Sequence, residues 1–179
     1  MPTTIARTFA RLDDAAGHLP LETILDWFRD QPLSADDLAE YLVFNPEHYV
    51  RNLVHNGPDY QALVLCWRNG HRSPIHNHRG SRCGVKVLRG TATETLFERG
   101  PNGMIVPSGS RPLPAGHTSA SVDNDTHQVS NLQTGTADLV TLHIYSPPLL
   151  RMQVFSLDTP AVRMWDDPVN VVCVDGGGI

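Results

Sequence analysis

The sequence predicts a mainly β protein, a sandwich or barrel of antiparallel strands with N-terminal helices packed on it. Two observations carry this. Ahead of about Tyr49, apolar residues recur at helical spacing; after it come short β-branched and aromatic runs broken by Gly, Pro and Asn turns. The 179 residues show no linker, low-complexity tract or tandem repeat, which suits one domain over 1–179: a helical segment (1–48) and a β-barrel with a C-terminal extension (49–179).

In chain order, Pro20 can open a helix because its ring presets φ and its missing N–H is not needed there; Leu21, Ile24, Leu25 and Phe28 follow at helical spacing. "SADDLAEYLVF" predicts a second helix, with Ser34 as N-cap and Asp36 and Asp37 favouring the helix dipole; Pro46 marks its end. Eight runs then read as strands: "YQALVLCW", "CGVKVL", "TETLFE", "MIVPSG", "LVTLHIYS", "QVFSL", "VRMW" and "VVCV". The "GGGI" tail reads as frayed.

Composition excludes several function classes. Net charge is −5 and no basic run stands out, which argues against a nucleic-acid partner, since phosphate binding needs clustered positive charge. No apolar run is long enough to span a membrane, and "MPTTIARTFARLDDAAGHLP" lacks the apolar core of a signal peptide. The cysteines Cys66, Cys83 and Cys173 are an odd, sparse set, which points to a reducing, cytoplasmic setting.

The chemistry concentrates in "SPIHNHRGSRCGVKVLRG" (73–90). His76 and His78 are two apart, so on a strand both imidazoles face one side. One histidine alone carries little weight; a pair on one face carries more. A third ligand must come from elsewhere: "THQVSN" offers His127, and His117, directly after "PAG", is its rival. Three imidazoles would leave the opposite metal positions open, and they suit Fe, Zn, Cu or Ni about equally.

The spacing resembles the first cupin motif. Gly70 is followed by five residues, His76-Asn77-His78, four residues, Cys83, six residues and Gly90. Cys83 stands where cupins carry an acidic ligand. "PAG" (114–116) and "HQVSN" (127–131) resemble the two halves of the second motif. The cysteine narrows the resemblance to the cysteine dioxygenase family, the thiol dioxygenase branch of the cupins. "YVRNLV" (49–54), "LCWRNGHRSPIHNH" (65–78) and "LHIYSPP" (142–148) are similar to segments of that family, in the expected order.

The resemblance implies a small antiparallel cupin barrel of the jelly-roll type, holding one Fe(II) per chain on His76, His78 and His127. The distance to "LHIYSPP" and the "HxxxN" pattern favour His127 over His117. It implies an oxidoreductase of cysteine catabolism that uses O2 to convert a small thiol to its sulfinate. Three neutral ligands leave the metal its full charge, which favours an anionic thiolate. Arg51 matches the family's carboxylate-binding arginine, suited by its bidentate fork, with Tyr49 beside it. Tyr145 matches the pocket tyrosine and Cys83 the cysteine joined to it by a thioether in some members. Thr141, His143 and Tyr145 resemble a hydroxyl–histidine–tyrosine relay, with Thr141 where serine is common. Trp67 reads as pocket wall or core.

Two departures bear on the substrate: Asn77 replaces a common aspartate, and Met152 falls where relatives shape the pocket. Arg51 favours L-cysteine. The alternatives are mercaptosuccinate, for which Arg72, Arg79 and Arg82 are candidate second cations, 3-mercaptopropionate, or a cupin that binds a small molecule without turnover. A zinc or nickel hydrolase or isomerase would need a general base, for which a tyrosine of unperturbed pKa about 10 is poorly suited.

Overall fold

Strand β9 (Leu139–Ser146) is the axis of the fold, and all eight of its residues are buried. Burial on both faces requires cover on both sides. The computed structural model, which describes residues 4–122, 126–166 and 168–172, supplies it. One side of β9's sheet meets the N-terminal helices, and the other meets a second sheet.

The first sheet has the order β12-β1-β2-β9-β4-β7, with β1 Val50–Asn56, β2 Gln61–Trp67, β4 Arg82–Arg89, β7 Thr118–Val122 and β12 Asn170–Val171. The second runs β11-β10-β3-β8-β5-β6, with β3 Ile75–Asn77, β5 Thr91–Arg99, β6 Ile105–Pro114, β8 Thr126–Ser130, β10 Met152–Phe155 and β11 Arg163–Trp165. Pairing is antiparallel except where β12 joins β1. The two sheets make the expected mainly β sandwich, with helices against one face.

Strand alternation splits the core in two. Ala62 and Val64 on β2, with Val140, Leu142 and Ile144 on β9, pack under the helices. Their neighbours Leu63, Leu65, Trp67, Leu139 and Tyr145 point between the sheets, where the site lies. At Gly84 on β4, helix and sheet approach closely: a Cβ there would fall 2.3 Å from Ile24 Cγ2. Lys86 tethers the same helix by donating to Phe28 O (2.9 Å) and Gln31 O (3.0 Å), a cation on the helix's C-terminal carbonyls.

The helical segment departs from expectation in two ways. Helix α1 (Thr4–Asp13) was not anticipated; Ile5, Phe9 and Leu12 form its buried stripe, and Phe9 stacks on Trp27 of α2 (Leu21–Asp30) at 4.8 Å. The expected second α-helix is instead a 3-10 helix, Asp36–Tyr41. It buries Leu38 and Tyr41, three apart, and three residues per turn puts those on one face. Ser34 does engage Asp37, through N–H (2.8 Å) and Oγ (2.6 Å).

All eight anticipated strand runs overlap observed strands; β1, β3, β7 and β8 add to them. The run "VVCV" begins in β12 at Val171, and its last two residues, Cys173 and Val174, with the tail, lie outside the described residues. Gly90, the last glycine of the motif, turns the chain from β4 to β5 at φ 79°, where a Cβ would meet Asp138 O at 2.6 Å.

Candidate metal centre

His76 on β3 and His127 on β8 are direct register partners, and His78 lies one residue beyond the end of β3. Strand pairing thus joins ligand candidates that lie far apart along the chain. Each imidazole offers a nitrogen within 4.8 Å of the others', and all three residues are buried. His76 Nδ1 faces Pro74 O at 2.9 Å, and His127 Nδ1 faces Glu94 Oε1 at 3.0 Å. With Nδ1 engaged, each ring keeps Nε2 for the centre.

Electrostatics favour lone pairs over protons here. Burial, reinforced by the neighbouring His127, pushes His76 down to about 3, and the same causes hold His78 well below the usual histidine range. His78 Nδ1 and His127 Nε2 are buried without a hydrogen-bond partner among the described residues. Buried polar atoms are rarely left so, and converging neutral imidazoles fit a divalent transition metal. His117 lies elsewhere, in the turn between β6 and β7, half-buried. The other histidines have other surroundings: His55 pairs with Asp13 at 2.8 Å, His71 Nδ1 accepts from Arg68 N at 3.0 Å, and His18 and His48 are exposed.

The facing wall comes from β9. Residues two apart share a face, so Thr141, His143 and Tyr145 all point between the sheets. His143 Nε2 lies 2.9 Å from Thr141 Oγ1, and its Nδ1 lies 3.0 Å from Tyr145 Oη. Burial pushes His143 down to about 3, with the charge of Arg51 acting in the same direction, so the ring is neutral near pH 7. A neutral imidazole has one donor and one acceptor nitrogen; the row can therefore run in either direction. Trp67 Nε1 donates to Thr141 Oγ1 at 3.0 Å, and its ring stacks on Tyr49 at 4.4 Å. Trp67 is thus both core and wall. Cys83 faces Tyr145 across β4 and β9; burial pushes its thiol up to about 12, opposed by a hydrogen bond with Tyr145.

Arg51 is buried, donates to Leu149 O at 3.1 Å and sits 5.6 Å from the centre of the Tyr145 ring. It lines one small cavity with Tyr49, His76, His78, His127 and Tyr145; Met152 also reaches that cavity. A larger surface groove, walled by Phe44, Pro74 and Trp165, shares Tyr49 and Arg51 with it. Arg72, Arg79 and Arg82 are not among the residues that line the cavity.

Glu94 and Arg111 belong to no motif visible in the sequence, yet they adjoin His127. Glu94 Oε2 accepts from Arg111 Nε at 2.8 Å and from its Nη2 at 2.6 Å, while Oε1 meets His127. Burial alone would raise this carboxyl, but the hydrogen bonds from His127 and Arg111 outweigh it and hold it at about 2. The available signal was a charged residue at an inward position: in "TATETLFE", Ala92 and Glu94 share the buried face of β5. Asn77 Nδ2 donates to Gln153 Oε1 at 2.8 Å.

Residues 7–158 match the profile of the family described as cysteine dioxygenase type I. The chain is 34% identical over 144 residues to cysteine dioxygenase type 1 of Rattus norvegicus and 33% identical to that of Homo sapiens; each match covers 78% of this chain and 70% of the relative. The fold is similar to the crystal structure of TT1209 from Thermus thermophilus, with TM-score 0.52, 18% identity, and coverage of 63% of this chain and 95% of that one. It is also similar to BH2720 from Bacillus halodurans, with TM-score 0.51, 16% identity, and coverage of 66% and 83%.

Proposed function

Because this chain belongs to the cysteine dioxygenase type I family of non-haem iron thiol dioxygenases, we propose that it oxidises L-cysteine to its sulfinate with O2. In this reading one Fe(II) per chain is held by His76, His78 and His127, and the chain works as a single cytoplasmic domain. The observation that carries the reading is one cavity lined by three imidazoles, Arg51, Tyr49 and Tyr145 together.

The iron would supply the redox chemistry, in which both oxygen atoms of O2 add to a sulfur that loses four electrons. The chain's residues supply placement. Arg51 would take the substrate carboxylate, since a buried guanidinium offers a planar fork of donors and has its charge little screened. Tyr49, braced by Trp67, would flank that carboxylate. The Thr141–His143–Tyr145 row would hold the phenol in one orientation and set which atom carries its proton. A Cys83–Tyr145 thioether would lock the ring further. The cavity's single lining cation among the described residues favours a thiol with one carboxylate over mercaptosuccinate.

The test is O2 uptake by the Fe(II)-loaded protein against L-cysteine, 3-mercaptopropionate, mercaptosuccinate, homocysteine and cysteamine, with product masses. L-Cysteine turned over best and gaining two oxygen atoms is the expected result. A diacid preference would redirect the assignment to that thiol. No uptake with any thiol, despite bound iron, would support a binding cupin instead.

A further inference from the structure

The cupin position that carries an acid is held here by Cys83, so the candidate ligand set is three imidazoles and no carboxylate. The structure places a carboxylate immediately behind one of them. Glu94 and Arg111 are direct register partners on β5 and β6. Leu96, two residues after Glu94, pairs with His127 on β8, so the carboxylate sits diagonally across from the imidazole on the inner face. Its two oxygens are divided: one faces His127 Nδ1, and the other takes two bonds from Arg111.

Burial is asymmetric. The Glu94 side chain is 11% exposed and that of Arg111 is 55% exposed. An arginine therefore reaches in from the surface to an acid already inside. Such a pair is a weak source of stability, because removing the carboxylate from water costs about as much as the pairing returns. The contact with His127 gives the arrangement another use. Among the described residues, His76 Nδ1 meets a neutral carbonyl. A carboxylate is the stronger acceptor; it fixes the imidazole tautomer and makes the opposite nitrogen a better donor to a metal.

We propose that Glu94 is a positioning residue of the metal centre. It holds His127 with Nδ1 protonated and Nε2 directed at the ion. It also supplies, from outside the ligands, the negative charge that the three-imidazole set lacks. Arg111 orients the carboxylate and moderates that charge. The inference rests on the metal reading above and is independent of which thiol is oxidised.

The experiment compares wild type, Glu94→Gln, Glu94→Asp and Arg111→Gln by Co(II) titration, followed through the metal's absorption bands, by the Fe(III)/Fe(II) midpoint potential, and by apo thermal unfolding. Glu94→Gln keeps the shape and removes the charge. It is expected to bind Co(II) about 10- to 100-fold more weakly and to raise the potential, since negative charge favours the more oxidised ion. Glu94→Asp is expected to recover part of the affinity. Arg111→Gln is expected to lower the potential, because it unmasks the carboxylate. Unchanged affinity and potential in Glu94→Gln overturn the proposal, as does lost apo stability with unchanged metal binding, the mark of a plain strut. If Glu94→Gln does not fold, Arg111→Gln decides, at a half-exposed site: a potential that stays put or rises overturns the proposal. Wild type that takes up no ion sinks this inference together with the metal reading. Wild type that binds Co(II) normally, and when loaded with Fe(II) oxidises no thiol, sinks only the substrate reading.

Discussion

Cys83 and Tyr145 are register partners across β4 and β9, with the thiol hydrogen-bonded to the tyrosine side chain inside the sandwich. Both belong to rigid strands, so they are held together before any reaction. Joining Sγ to the ring carbon beside the hydroxyl forms one C–S bond, breaks S–H and ring C–H bonds, and passes two electrons to O2. After incubation with Fe(II), thiol and O2, the intact chain is expected to lose the mass of two hydrogens, and a tryptic digest to link the peptides holding the two residues. Cys83→Ser should show neither. Unchanged mass in active wild-type protein would show that the pair works uncoupled.

His127 pairs with His76 across strands, whereas His117 sits in the β6–β7 turn. His127→Ala is expected to abolish iron binding and thiol oxidation. His117→Ala should leave iron content and turnover close to wild type. Metal analysis of the purified variants checks this, and the opposite pattern would overturn the ligand assignment.

Arg51 lines the cavity together with the imidazoles. A hydrogen bond to a charged group contributes roughly 1.5–3 kcal/mol, so Arg51→Ala should cost roughly 10- to 150-fold, mainly as a higher KM for carboxylated thiols. Cysteamine, which has no carboxylate, should be affected far less. The variant also loses the bond to Leu149 O, which calls for a thermal-unfolding control. An equal effect on both thiols would show that the carboxylate is bound elsewhere.

Acid should destabilise the metal-free protein well above the carboxylate range. His76 and His143 sit at about 3 in the folded chain, against about 6.5 when unfolded. Between those values the unfolded state binds protons that the folded state refuses. Stability is therefore fully present above about pH 6.5 and falls as pH drops toward 3, by about tenfold in the unfolding equilibrium per pH unit for each group. His78 acts in the same direction. Denaturant titrations of apo protein from pH 7 to 4 should show this slope; a flat profile would mean that these rings take protons freely in the native state.

Much of this was legible in the chain because it depends on local spacing. The i, i+2 rule puts His76 beside His78 and lines up Thr141, His143 and Tyr145, whatever packs against them. The β runs were visible through their branched and aromatic residues, and α2 through its stripe. Less visible were features for which two periods compete or the signal is short. Leu38 and Tyr41 suit a 3-10 turn as well as an α-helix, and the surrounding core chose the former. The stripe of α1 was present in the sequence, but it is short: Ile5, Phe9 and Leu12 mark it within ten residues.

By itself, then, the sequence determined the His76–His78 pair, the strand-rich body and the resemblance to the family, because each is carried by local spacing within short segments. Only the tertiary structure decided which distant residues meet. The β3–β8 register brings His127 rather than His117 to His76, and the β5–β6 and β5–β8 registers set Glu94 between Arg111 and His127. The physical reason is that a strand dictates the face each side chain takes but not the partner opposite it. Register and partner are settled by packing two sheets and a helical layer around one buried strand, β9, and that is a property of the whole chain.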